Sequence, residues 1–156
     1  MRTLSSKLLF LALLLTGCSS EPKDFTLTFT MESLQNYKYS IEIASDKSYH
    51  TQQQDLYLDA HADTQQINTF KGTLTDEQFD NLTKLIAASR LFNMKDTYGF
   101  DQEPDHLDTF GNVISQLNYT EGKKVKNITI RLNSKDLFPK QFLELMNFLS
   151  HLAPQT

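Results

Sequence analysis

From position 25 the chain alternates: Phe25, Leu27, Phe29 and Met31 are apolar, and Thr26, Thr28 and Thr30 stand between them. A period of two built from β-favouring residues predicts a strand with one face buried and one wet. Tyr37, Tyr39, Ile41 and Ile43, alternating with Lys38, Ser40 and Glu42, predict a second. Ser45-Asp46-Lys47-Ser48 is turn chemistry, so a third strand over 49–58 returns antiparallel to the second, with Gln52 to Gln54 as its polar middle. After a polar interval at 59–66, a short fourth strand with Gly72 covers 67–74.

The period then changes. Phe79, Leu82, Leu85 and Ile86 recur at helical spacing, behind Thr75 as N-cap, Gln78 as its capping-box partner and Leu74 with Phe79 as a hydrophobic staple. Acidic Asp76 and Glu77 at the start and Arg90 at the end suit the helix dipole, and the helix stops within 91–94. The pattern breaks into a loop over 95–112. It resumes as a hairpin, with Val113, Ser115, Leu117 and Tyr119 on one arm, Glu121-Gly122 at the turn, and Ile128, Ile130 and Leu132 on the other. Phe138, Phe142, Leu145, Leu149 and Leu152 share one face of a last helix that Pro154 ends. Four strands, a helix, two strands and a helix predict an α+β domain over 25–153. Its antiparallel sheet has about six strands, with two amphipathic helices on one face and a wet opposite face.

Ahead of this domain the pattern has another meaning. Arg2 and Lys7 precede the apolar run 8–15, and Leu15-Thr16-Gly17-Cys18 follows. These are the charged, apolar and small-residue parts of a secretory signal, and the run is well short of the roughly 20 residues that span a bilayer. The only cysteine stands where a lipobox places its nucleophile. The expectation is cleavage after residue 17 and lipidation of Cys18, with 18–24 as a short polar tether. Two or more acyl chains anchor a protein stably, so the membrane is a partner through Cys18. Ser19 stands where an aspartate would retain the protein at the inner membrane, which favours the outer membrane facing the periplasm.

Loss of Arg2 and Lys7 with the signal leaves 13 basic against 19 acidic side chains. The densest basic group is Lys123, Lys124 and Lys126 in the hairpin, too small a patch for nucleic acid. The motifs GxSxG, HExxH, CxxC and the P-loop are absent, and His50, His61, His106 and His151 are scattered. The expectation is therefore no enzyme, with a hydrolase of dispersed site as an alternative. The chemically suggestive stretch is the loop, where Asp101, Glu103, Asp105 and Asp108 offer carboxylates of the kind that hold a divalent cation. An EF-hand counted from Asp101 would need glycine and glutamate where His106 and Asn112 stand, so a solvated acidic loop is the simpler reading. No other cofactor is implied. Tyr98 and Phe100 fall outside any periodic face and are candidates for a contact surface or for cover over the sheet edge.

The run Gly72-Thr73-Leu74-Thr75, the helix after it, the exit Leu91-Phe92-Asn93-Met94, Tyr98 with the acidic loop, the Lys123–Val125 hairpin turn and the C-terminal helix together resemble small uncharacterised bacterial lipoprotein domains. That resemblance implies an envelope address and carries over no functional residue. The functional expectation is a lipid-anchored, non-catalytic binding or accessory module for another envelope component. The alternative is a cation or small-ligand binder working through the acidic loop.

Overall fold

The computed structural model describes residues 24–33, 37–55, 67–99, 113–131 and 138–152. The expected signal at 1–17, Cys18, the predicted strand ends at Leu58 and Leu132, Phe100, the four loop carboxylates, His61, His106 and Pro154 lie outside them. The elements in chain order are β1 (Phe25–Ser33), β2 (Tyr37–Ala44), β3 (Ser48–Asp55), β4 (Ile67–Thr73), α1 (Asp76–Ser89), a 3-10 turn (Leu91–Asn93), β5 (Thr97–Tyr98), β6 (Val113–Glu121), β7 (Lys124–Arg131) and α2 (Lys140–His151).

One mixed sheet of seven strands runs in the order β4-β3-β2-β1-β6-β7-β5. Six strands pair antiparallel, and β5 adds itself parallel to the outer side of β7. The expected six-stranded antiparallel sheet is thus corrected at one edge. A two-residue strand carries no periodicity, and what holds β5 in place is a contact distant in sequence. Thr129 N–H donates to the Asp96 carbonyl at 2.8 Å, and Lys126 Nζ reaches the Asp96 carboxylate at 2.6 Å and the Met94 carbonyl. Lys126 is in phase with Ile128 and Ile130 on the buried side of β7, and its ammonium ties down the strap formed by residues 94–98.

Alternation sorts the residues of β1, β2, β6 and β7 as expected. Phe25, Leu27 and Phe29 of β1, Tyr39, Ile41 and Ile43 of β2, Leu117 and Tyr119 of β6, and Ile128 and Ile130 of β7 are buried on one face. Both helices pack over that face. The Phe79 ring of α1 stacks on Phe25 at 5.9 Å, and the Tyr39 hydroxyl donates to the Leu149 carbonyl of α2 at 3.2 Å. That bond satisfies one of the carbonyls a helix end leaves free. Leu82 and Ile86 of α1 and Phe142, Leu145 and Leu149 of α2 complete the core. Each such side chain contributes about 1.5–3 kcal/mol by burial.

The capping-box and turn signals act as read, whereas Arg90 is the left-handed C-cap of α1 and not part of its last turn. Thr75 Oγ1 accepts from Gln78 N–H at 3.2 Å and Gln78 Oε1 accepts from Thr75 N–H at 2.9 Å, the reciprocal capping box. Asp46 accepts from the Ser48 amide and hydroxyl, which fixes the turn between β2 and β3 and holds the Asp46 carboxyl below its ordinary range. Gly72 faces Tyr49 across β3 and β4, and a Cβ there would stand 2.7 Å from the Tyr49 ring. A larger residue at 72 would require the Tyr49 ring to move.

Several chain turns meet at one end of the sheet. Ser45 N–H donates to the Phe25 carbonyl, Gly122 N–H to the Asp24 carbonyl, and Leu74 N–H to the Lys47 carbonyl. The chain enters the domain here, at Asp24, beside the start of α1.

Candidate functional site

The face opposite the helices carries the alternate residues of every strand. The register aligns them in rows across the sheet. One row runs Thr69, Gln52, Ser40, Thr30, Gln116, Thr129, Thr97, one residue from each of the seven strands. All seven are hydroxyl or carboxamide side chains, none is charged, and none is buried. Cross-strand spacing places neighbours about 4.7–4.9 Å apart. Such groups both donate and accept, so the row is a line of hydrogen-bonding capacity turned to solvent.

The flanking rows differ. On one side stand Ile67, Gln54, Lys38, Glu32, Ile114 and Arg131, with Lys38 Nζ 3.6 Å from the Glu32 carboxylate. On the other stand Lys71, His50, Glu42, Thr28, Asn118 and Asn127. Charge on this face is arranged as opposites on adjacent or next-adjacent strands. A recess of about 350 Å³ sits over the middle strands, lined by Thr28, Thr30 and Ser40, by Gln116 and Ile114, and by the Glu32–Lys38 pair. Larger hollows of about 740 and 420 Å³ lie on the outer surface of the helix pair, meeting at Asn81 and Phe148. They are shallow and open, and they line no row of convergent groups.

The arrangement can hold a ligand by hydrogen bonds. His50 belongs to the open face, whereas His151 sits at the end of α2 with its Nδ1 2.7 Å from the Asn147 carbonyl. Among the described residues no three of His, Cys, Asp and Glu converge on a metal-sized site. The phenols of Tyr39 and Tyr119 are pushed above their ordinary value, chiefly by burial, and stay protonated.

The sequence candidates divide by place. Cys18, Phe100 and Asp101, Glu103, Asp105 and Asp108 lie outside the described residues. Tyr98 takes the covering role: it is 8% exposed, its ring lies 5.1 Å from Phe138, and its oxygen accepts from Lys95 N–H. The lysine cluster is divided too. Lys126 is the strap's tie, Lys124 stands 5.5 Å over the Phe92 ring, and neither belongs to a basic patch on the open face. Reading the sequence alone missed Lys126, although its phase with Ile128 and Ile130 was visible, and it missed the neutral row, which exists only once the register is known.

The chain matches no protein-family model and no curated protein.

Proposed function

We propose that this chain is a lipid-anchored bacterial envelope protein whose single α+β domain is a non-catalytic binding module. Its working surface is the open face of the sheet. The observation that carries the reading is the transverse row of seven uncharged hydrogen-bonding side chains from Thr69 to Thr97, with the recess at its centre. Half of each strand's side chains stay out of the core and hold their polar groups in register, which is what a docking surface needs.

The anchor is Cys18 in Leu15-Thr16-Gly17-Cys18, with removal of residues 1–17 and an outer-membrane address facing the periplasm. The six residues from Ser19 to Asp24 reach at most about 20 Å, so the end of the sheet beside Asp24 is held near the lipid. The resemblance to small bacterial lipoprotein domains agrees with this address.

The test is site-directed photo-cross-linking in living cells. A photoreactive residue replaces Gln52 on the open face or Asn81 on the helix pair, in the lipidated chain and in a Cys18→Ala version. The reading expects an adduct from Gln52, none from Asn81, and loss of the adduct with the anchor. Equal capture from both positions, or capture from neither, would overturn it. Metabolic labelling with palmitate settles the anchor: no label on the wild-type chain would remove Cys18 from the account.

A further inference from the structure

The proposed docking face has a composition that selects a class of ligand. We infer that the row from Thr69 to Thr97 binds a neutral glycan strand, a polymer of sugars bearing hydroxyl and acetamido groups, laid across the strands. This identity rests on the reading of the open face as the docking surface.

Three observations point there. The row is uncharged along its whole length, so a charged polymer would leave water without finding a counter-charge on it. The charges beside the row's centre come as opposites, Glu32 with Lys38 at 3.6 Å and Glu42 two strands from Lys71, and Arg131 stands toward the β7 end of one flank, so little field of one sign falls on the centre. Hydroxyls and carboxamides supply donors and acceptors together, and a sugar polymer presents the same mixture, so each polar group that is desolvated meets a partner.

The competing macromolecules fit less well. Protein interfaces centre on aromatic, Met and Arg side chains. Here Phe25, Phe29, Tyr39 and Tyr119 all turn to the helix side, and the open face's Arg131 and its apolar Ala44, Ile67, Ile114 and Val125 stand outside the row. Nucleic acid needs a basic stripe that this acidic chain lacks. The same want of rings leaves no stacking platform for sugars, so each sugar is held weakly and the polymer by many contacts. Display of many copies on one membrane raises avidity by about 10²–10⁴ over a single site.

The experiment uses the lipidated mature chain in nanodiscs carrying several copies each. Nanodiscs are sedimented with insoluble chitin, and N-acetylglucosamine tetramer serves as competitor. The expected result is sedimentation that the tetramer reverses, and that falls at least tenfold in a Thr30→Glu and Gln116→Glu double variant. An Asn81→Glu control stays at wild-type binding. Because added charge on central strands could unfold the sheet, a Ser40→Ala and Gln116→Ala variant is run beside it. It is expected to melt like the wild type and to bind about fivefold less. No sedimentation above that of empty nanodiscs, or equal binding by wild type and both row variants, overturns the glycan. In that case a Gln52 cross-link to a protein would leave the docking face standing with another ligand, whereas no cross-link would end both readings.

Discussion

The two faces of the sheet are made from the same strands, and β1 shows the contrast within nine residues. Phe25, Leu27 and Phe29 are at most 2% exposed, while Thr26, Thr28 and Thr30 between them face solvent. One face is closed by two helices and holds the domain together. The other is closed by nothing among the described residues, yet its side chains are as ordered in register as the core. The difference teaches that core packing and solvent exposure are divided here by residue parity. A substitution on one face can be read without disturbing the other.

The largest expected effect tests that separation directly. Phe29→Ala leaves a cavity against a face with no slack, and equilibrium urea unfolding is expected to show a loss of about 3–5 kcal/mol. Thr28→Ala, one residue away on the open face, is expected to cost at most about 1 kcal/mol, the span of strand propensity. If the threonine change cost as much as the phenylalanine change, the open face would be part of the core. The comparison would then fail.

A sharper test lies inside the buried face. Ser115 is fully buried on β6, aligned with Met31 and Ile130, and its hydroxyl has no hydrogen-bond partner among the described residues. Thr83 and Ser89, also buried, differ in that each donates to a carbonyl of its own helix, Asp80 and Leu85 respectively. Removing the unpaired hydroxyl by Ser115→Ala is expected to raise stability by about 1 kcal/mol, since an unmet buried group costs that much or more. A loss in the same unfolding assay would show that the hydroxyl is bonded and that this part of the face is not purely apolar.

How much of this the sequence disclosed follows from the same physics. Strands β1, β2, β6 and β7 were legible because a sheet wet on one side writes its two faces as alternation. α1 was legible because Thr75 and Gln78 cap it locally. β5 was not, because Thr97 and Tyr98 are held by Thr129 and Lys126, some 30 residues away in sequence. Lys126 looked like one lysine of a surface cluster, since charge suggested exposure and its phase was outweighed. The neutral row was invisible for a different reason: its members are ordinary polar residues, and only pairing across seven strands sets them in line. Tyr98 lacked a helical or strand period because the strand that buries it is two residues long.

The smallest expected effect concerns charge at the rim, where neither face provides cover. Lys47, at the left-handed φ of 70° in the β2–β3 turn, donates to the Asp76 carboxylate at 2.6 Å at the start of α1. The Lys47 hydrogen bond, and then its charge, hold the Asp76 carboxyl below its ordinary value of 3.8, and the same bond and charge raise Lys47 above 10.5. The signs fix a window. Asp76 contributes stability above pH 3.8 and loses it as the pH falls below that value. Lys47 contributes below 10.5 and loses it as the pH rises through its higher folded value. Between these limits the pair ties the turn to the helix, but it does so in open water, where salt screens it. Asp76→Asn is expected to flatten the acid limb of a stability–pH curve slightly while leaving the neutral plateau almost where it was. Removal of most of the acid limb by this one change would mean that exposed charge rather than the closed face sets the domain's stability, and the division of labour between the faces would have to be redrawn.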